Sequence, residues 1–374
     1  RMLAERQGAL LEYWRKALDG APTVLDLPLD RPRPEVQTFE GGVVDLDLRP
    51  ELMARLEAVC RRQGVTLYTL LLGAYGILLQ RHSGQADILI GTPTATRPQA
   101  SMASAISYLI NLVVMRLRFD GAEDLPSFLG ALRRQVARSL SHADLPFPVL
   151  VENLRQEGAS QAHPLVQAMF IYQKAPLGGA PDLTGLALGA PGARIEAGDL
   201  ALESVPIENR TAQFDLTLIF GEGQRRSRLA FNYSTSLFER RTVELLARRF
   251  EVLLEGIAAE PDRAVSALPV LAPGEAETLM RTWNETSTPA EEELCIHQLF
   301  EAQVAASPDR EALVFEDRSL TFAELDAAAN RIAHLLAGRR SGPGHRVGVC
   351  LPRGPEMLAT LLGVLKTGAA YVPL

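Results

Sequence analysis

The chain has 374 residues, of which 47% are hydrophobic and 22% charged, and its formal net charge is −7 at pH 7. The length favours two to three domains, the composition is ordinary for a globular protein, and the acidic balance argues against a nucleic-acid partner. No apolar run reaches the roughly 18–20 residues of a membrane span, and cysteines 60, 295 and 350 lack a CxxC or His partner pattern, so we expect no membrane partner and a cytoplasmic protein with reduced thiols.

Apolar periodicity predicts alternating helices and strands over the first 260 residues. The predicted helices span 3–18, 50–63, 66–81, 125–141, 146–155 and 238–259. The predicted strands lie at 43–48, 87–93, within 108–119, and at 166–172, 214–220 and 228–233. Proline and glycine predict an extended connector at 28–34 and a long surface loop at 178–198.

Residues 261–293 differ in composition from the residues before them, since they contain four prolines and the polar run 283–288. This pattern predicts an interdomain linker. The linker also carries Leu268, Val270, Leu271 and Leu279, which predict packing along a surface.

The last eighty residues predict a second α/β region. A helix is expected at 295–307, a hairpin at 312–315 and 319–321, and another helix at 322–337. A β-α-β unit then follows, with a strand at 346–351, a helix opened by Pro355, a Gly368 cap and a strand starting at 371. A parallel sheet needs more strands than this and two covered faces, so the chain is expected to end inside a domain.

Three motifs in the first 260 residues resemble the condensation domains of nonribosomal peptide synthetases. Residues 90–97, IGTPTATR, resemble the family's IGTPVANR, and 108–111 stand where it has an aromatic-rich FVN element. Residues 142–147, HADLPF, resemble HQDLPFE, and QFDL follows at 213–216. The resemblance implies an α/β fold, the chloramphenicol-acetyltransferase-like αβ sandwich that forms one half of a condensation domain.

The tail resembles the start of an adenylation domain. Residues 296–300 are typical of its opening helix, 320–325 resemble its first core motif, and 365–374, LKTGAAYVPL, resemble the second. The linker resembles the usual condensation–adenylation connector down to Trp283 and Asn284. The implied domains are a C-terminal condensation part at 1–260, including a connector from the missing N-terminal half at 1–40, a linker at 261–293, and a truncated α/β adenylation N-terminus at 294–374.

The resemblance implies a synthetase that makes secondary metabolites, including antibiotics. The condensation domain would join a carrier-bound acyl or peptidyl thioester to a carrier-bound aminoacyl amine, both on phosphopantetheine arms. The adenylation domain would activate an amino acid with ATP and Mg²⁺. Partners would be the upstream condensation half, the rest of the adenylation domain and the carrier domains on either side.

The catalytic groups of both families are missing from the sequence. The condensation signature HHxxxDG needs adjacent histidines, whereas the six here are isolated. Gly342 and Gly344 flank Pro343 in a basic turn that does not match a phosphate loop. We therefore expect no catalytic residue and no cofactor bound by this chain, and an isolated chain that is inactive.

Two residues are candidates for supporting the active tunnel. The resemblance implies that Arg97 braces the loop of the missing HHxxxDG motif, although a lone Arg is more often a solvated surface residue. Asn111 lies in an apolar run and must find partners. It either bonds its own backbone at a strand edge or bulge, or lines the acceptor tunnel with its amide.

His142 and Asp144 belong to the third motif. Their spacing at a helix end before Pro146 favours an architectural role, with His142 near the helix C-terminus and Asp144 capping the next helix. Lys366 has a similar interpretation, compensation of a helix dipole.

Two other functions compete with the synthetase. A stand-alone coenzyme A-dependent acyltransferase would use the same superfamily fold, but the adenylation-like tail and the missing histidine motif argue against it. A non-catalytic docking platform would bind carrier proteins without turnover.

A finer prediction concerns the donor substrate. Position 112 is Leu where peptide-extending members of the family usually have Thr. Residues 170–175 resemble members found downstream of polyketide modules. Together these features imply a polyketide or fatty acyl donor.

Overall fold

A computed structural model describes residues 2–95, 109–154, 165–174, 194–197, 200–203, 205, 207, 209–222, 227–287 and 294–374. The chain divides into two compact units, Arg1–Met280 and Arg281–Leu374. No helix in the described part of the chain is long and apolar enough to cross a bilayer.

The first unit alternates helices and strands largely as the periodicity predicts. Its helices are α1 Met2–Leu18, α2 Pro50–Gln63, α3 Leu67–Ser83, α4 Leu125–Ser141, α5 Phe147–Leu154, α6 Arg240–Ala259 and α7 Glu275–Met280, with a 3₁₀ turn at Val265–Ala267. Its strands are β1 Gly41–Leu48, β2 Asp87–Ala95, β3 Ile110–Arg118, β4 Ala168–Lys174, β5 Arg194–Ala197, β6 Leu200–Glu203, β7 Leu216–Glu222 and β8 Ser227–Ser234. The predicted loop at 178–198 is wrong for residues 194–197, which pair with β6, and residues 178–193 lie outside the described residues.

Six strands form one mixed sheet in the order β1-β8-β7-β4-β2-β3. Strand β4 is parallel to β2 and β7, and the other pairings are antiparallel. Successive side chains of a strand point to opposite faces, so one face can be closed by helices while the other stays open to a partner.

The core lies between the sheet and helices α2, α3, α4 and α6. Tyr75 of α3 is fully buried beside Phe170 of β4 and Phe231 of β8, and Phe250 of α6 meets Phe231 edge to face at 5.9 Å. The Thr66 hydroxyl accepts from the Thr69 N–H and so caps the start of α3. Aromatic burial of this kind is among the largest contributions to a core.

The stretch 261–280 packs on the first unit, as its apolar residues predict. Leu268 is buried, and Leu271 is 40% exposed. The Arg81 guanidinium donates to the carbonyl oxygens of Val265 and Ser266 at 2.9 and 2.5 Å. The 3₁₀ turn is therefore held by α3.

The second unit has the predicted hairpin and β-α-β unit. Its elements are a 3₁₀ turn at Thr282–Asn284, α8 Ile296–Ala306, β9 Glu311–Phe315, β10 Arg318–Thr321, α9 Phe322–Gly338, β11 Arg346–Val349, α10 Pro355–Lys366 and β12 Ala370–Pro373. Strands β11 and β12 pair directly in parallel, and α10 connects them in the chain. Gly368 has φ +79°, a conformation that favours glycine, which confirms its capping role. Gly363 allows close helix packing, since a Cβ there would lie 2.8 Å from the Ala329 carbonyl oxygen.

Candidate functional site

A cleft of about 370 Å³ lies on the sheet face opposite the helices. Met169 and Ile171 of β4 and Ile219 of β7 give it apolar walls, with Leu112 of β3 at one side. Polar groups enter from elsewhere, including the Thr217 and Asn232 side chains. We call this the sheet-face cleft; its size is within the range of pockets that take small organic groups.

Asn232 stabilises one side of the sheet-face cleft. Its amide nitrogen donates to the Thr211 carbonyl oxygen at 2.8 Å and to the Gly42 carbonyl oxygen at 3.3 Å. Asn232 is 7% exposed, and a buried amide is stabilised by such bonds. The segment at 209–214 is therefore fastened to β8 beside the cleft.

Asn111 binds the turn of the HADLPF motif. Its amide nitrogen donates to the carbonyl oxygens of Ala143 and Leu145 at 2.8 and 2.7 Å. Its amide oxygen accepts from the Phe147 N–H at 3.0 Å. Both alternatives predicted for the amide were incomplete: Asn111 does line the sheet-face cleft, but its amide bonds the backbone of another segment. One side chain thus joins β3 to the end of α4 and the start of α5.

His142 lies at the C-terminus of α4 and packs on α1. Its ring stacks on Tyr13 with centroids 3.6 Å apart, and its carbonyl oxygen accepts from the Trp14 indole N–H at 3.1 Å. Its Nδ1 lies 2.8 Å from the Arg138 carbonyl oxygen and 3.0 Å from the Ser141 hydroxyl oxygen. The ring is engaged with α1 and α4, away from the lining of the sheet-face cleft.

Asp144, a further candidate residue, also lies against α1. Asp144 pairs with Arg6 of α1 at 3.7 Å and is half-buried, so it too contacts α1. The structure therefore brings Asn111, His142 and Asp144 together around the turn at 142–147. Arg97 lies outside the described residues.

An ion pair not foreseen as a site joins the connector to the sheet. Arg33 donates to both carboxylate oxygens of Asp215, at 2.9 and 2.5 Å, and the Asp215 side chain is 6% exposed. The bond to Asp215 raises the pKa of Arg33, against the opposing effect of burial. The signal in the sequence was the Asp of the QFDL motif, but nothing in the pattern identified Arg33 as its partner.

Arg116 was also missed, although a cation inside the apolar run of β3 was a visible signal. It donates to Asp87 of β2, at 2.6 Å to Oδ2, and to the carbonyl oxygens of Ala17 and Asp19 at 2.9 and 2.8 Å. Its side chain is 7% exposed. Arg116 thus holds the end of α1 to the sheet.

Lys366 of the second unit is buried between two carboxylates rather than simply facing a helix dipole. Its Nζ pairs with Asp326 of α9 at 2.8 Å and with Glu301 of α8. Burial disfavours the charged form, but the hydrogen bonds to Asp326 and Glu301 raise the pKa of Lys366. The expected role as dipole compensation is therefore incomplete, because this lysine joins three helices.

The turn of the second unit that contains Gly342 and Gly344 is a short backbone turn before β11. The turn at 342–345 closes on itself through a bond from the His345 N–H to the Gly342 carbonyl oxygen at 3.0 Å and leads into β11. In the described part of the chain, no group of three His, Cys, Asp or Glu side chains is placed to hold a metal ion.

Two protein families match the chain in succession. Residues 3–280 match the Condensation domain, and residues 300–374 match the AMP-binding enzyme family.

Similar proteins are far longer than this chain. One linear gramicidin synthase protein of Brevibacillus parabrevis is 39% identical over 97% of the chain, which spans 7% of that protein. Surfactin synthase subunit 1 of Bacillus subtilis (strain 168) is 35% identical over 97% of the chain and 10% of its own length. A similar solved structure is the crystal structure of holo-AB3403, a four-domain nonribosomal peptide synthetase bound to AMP and glycine. The match covers 99% of this chain and 28% of the holo-AB3403 chain, with a TM-score of 0.85 and 27% sequence identity.

Proposed function

The chain belongs to the condensation-domain family and continues into the start of an AMP-binding domain, and from this premise we propose that it helps a nonribosomal peptide synthetase module to form amide bonds. The bond would join a carrier-bound acyl or peptidyl thioester to the amine of a carrier-bound aminoacyl group. The amine nitrogen attacks the thioester carbon, the C–S bond breaks, and the thiol of the donor arm leaves with a proton.

The observation that carries the proposal is the sheet-face cleft. It lies on the face that the helices leave open, and the Asn111 that lines it also fixes the turn at 142–147. In the proposal the upstream half of the condensation domain faces this side, and the cleft is one wall of the tunnel in which the two arms meet. Holding both reactants in one enclosed geometry is a large part of such catalysis.

Residues of this chain would position substrates and exclude water rather than transfer the proton. A general base must lie within hydrogen-bond reach of the amine, and the sequence has no adjacent histidine pair. We propose that the isolated chain does not turn over, and that Arg97, Asn111, His142 and Asp144 support the tunnel.

The proposed partners follow from this arrangement. They are the upstream condensation half, the donor and acceptor carrier domains with their phosphopantetheine arms, and the rest of the adenylation domain, which would use ATP and Mg²⁺.

The proposed boundaries are 1–260 for the condensation part, 261–293 for the linker and 294–374 for the adenylation part. The proposed donor is a polyketide or fatty acyl chain from an upstream polyketide module, in a cytoplasmic synthetase.

Filling the sheet-face cleft tests the proposal. In a module reconstituted with the upstream half and loaded carriers, Ile171→Trp should reduce the condensation rate at least tenfold, because the larger side chain occupies the space of the substrate. The matched control is Ile296→Trp at a 70% exposed position of the second unit. Equal rates for Ile171→Trp and the unmodified chain, with both folded, would refute the proposed site.

A further inference from the structure

A second concave surface of the first unit is strongly basic. It has a volume of about 500 Å³ and lies between α1, β3 and α4. Five of its described lining residues are cationic and none is acidic; the cations are Lys16, Arg116, Arg118, Arg134 and Arg138. We call it the basic groove. It shares no lining residue with the sheet-face cleft.

Part of this charge is already neutralised. Arg116 is buried and spends its donors on Asp87 and two carbonyl oxygens. Arg118 approaches the same carboxylate at 3.6 Å, and Lys16 pairs with Glu12 at 2.8 Å. Five cations therefore face two carboxylates, which leaves three positive charges.

The charge left over resides mainly on α4. Arg134 and Arg138 are four residues apart, so they lie on one side of the helix, and both are exposed. Neither forms an ion pair within the described part of the chain. Two positive charges at this spacing on a helix repel each other, so an anion bound between them would be favoured.

We propose that the basic groove binds an organic diphosphate of the nucleotide type. The guanidinium group is a planar fork that matches phosphate oxygens in pairs. A diphosphate carries about three negative charges near neutral pH, which balances the three that remain. The groove is larger than two phosphates need and lies in the usual range for small ligands. Tyr13 and Ala17 also line it, are half-buried, and offer apolar contact to the organic part.

Isothermal titration of the full chain in magnesium-free buffer tests this proposal, with ADP, inorganic pyrophosphate and adenosine as probes. ADP and pyrophosphate should bind at one saturable site, and adenosine should not bind. Raising NaCl from 50 to 200 mM should weaken ADP binding, since the recognition is between charges. Arg134→Ala with Arg138→Ala should weaken ADP at least tenfold.

The matched control removes two arginines from another helix. Arg241 and Arg248 of α6 are exposed and form no ion pair in the described residues, so replacing both with Ala changes the net charge equally outside the groove. ADP affinity should stay unchanged in this control. If the α4 double variant does not fold, Arg134→Lys with Arg138→Lys keeps the charge and should still weaken ADP several-fold by losing the paired bonds.

Three results would overturn the proposal. One is the absence of saturable ADP binding to the folded chain. Another is ADP binding that survives the α4 substitutions, which would place the ligand elsewhere, including the second unit. The third is equal loss in the α6 control, which would mean that net charge rather than the groove attracts the anion.

Discussion

The amide oxygen of Asn111 accepts a hydrogen bond from the Phe147 N–H at 3.0 Å, which ties an edge strand of the sheet to the first turn of α5. The same side chain holds two carbonyl oxygens of the intervening turn. The motif turn therefore has its position fixed by a residue more than thirty positions earlier in the chain.

Replacing Asn111 with Ala should destabilise the first unit by about 2–3 kcal/mol, because buried donors and acceptors of the turn lose their partner. The measurement is urea unfolding followed by the fluorescence of Trp14, in a Trp283→Phe background that removes the only other tryptophan. Asn153→Ala is the control, since Asn153 is exposed and its amide makes only solvent-exposed bonds, to the Val149 carbonyl oxygen of its own helix and, at 3.5 Å, from Arg15. Equal midpoints for the two variants would contradict the assigned role.

The pair of Arg33 and Asp215 should show strong coupling. Removing either partner leaves the other partly buried without its counter-charge, so Arg33→Met and Asp215→Leu should each cost on the order of 3 kcal/mol. The double variant should cost clearly less than the sum of the two, because no charge remains unpaired. A double-mutant cycle of unfolding free energies checks this, and strict additivity would show that the two side chains do not interact.

His82 should make the stability of the first unit depend on pH. Burial, together with the charge of Arg249, lowers the pKa of His82, although the Leu78 carbonyl and Glu275 act in the opposite direction. Its Nε2 lies 2.8 Å from the Arg249 guanidinium, which suits a neutral ring.

The sign of the effect follows from proton binding. Below about pH 6.5, the ordinary histidine value, the unfolded chain binds more protons at this position than the folded chain does. The free energy of unfolding should therefore fall as the pH falls from about 6.5 through the folded pKa. His82→Gln should flatten this part of the profile, while the exposed control His334→Gln should leave it unchanged. An unaltered slope in His82→Gln would refute the assignment.

Lys366 should stabilise the helical layer of the second unit. Lys366→Met leaves Glu301 and Asp326 facing each other without a cation, so we expect a loss of about 3 kcal/mol. Hydrogen exchange by mass spectrometry should show faster exchange in peptides of α8, α9 and α10. Lys16→Met, at a 78% exposed lysine of the first unit, should leave those peptides unchanged. Unchanged protection in Lys366→Met would mean that the ion pairs contribute nothing.

The sequence predicted local elements better than it predicted long-range partners. Apolar periodicity identified α3 and β4, and Pro355 and Gly368 marked the start of α10 and the cap after its end. These signals could be read from the sequence because they depend on neighbouring residues in the chain. The partner of Asp215 could not be foreseen, since Arg33 lies 182 residues earlier and inside a proline-rich connector. The pattern around His142 predicts an architectural role, but its stacking on Tyr13 could not be foreseen because it depends on how α1 packs.

Reconstitution of the whole condensation reaction tests the central claim most directly. Donor and acceptor carriers, loaded with acyl and aminoacyl thioesters, are mixed with the upstream half and this chain, and the carriers are weighed by intact-protein mass spectrometry. The account predicts the amide product on the acceptor carrier only when both halves are present, and none from the chain alone. Acyl transfer by the chain alone from a coenzyme A thioester to a free amine, or equal condensation without the chain, would contradict it.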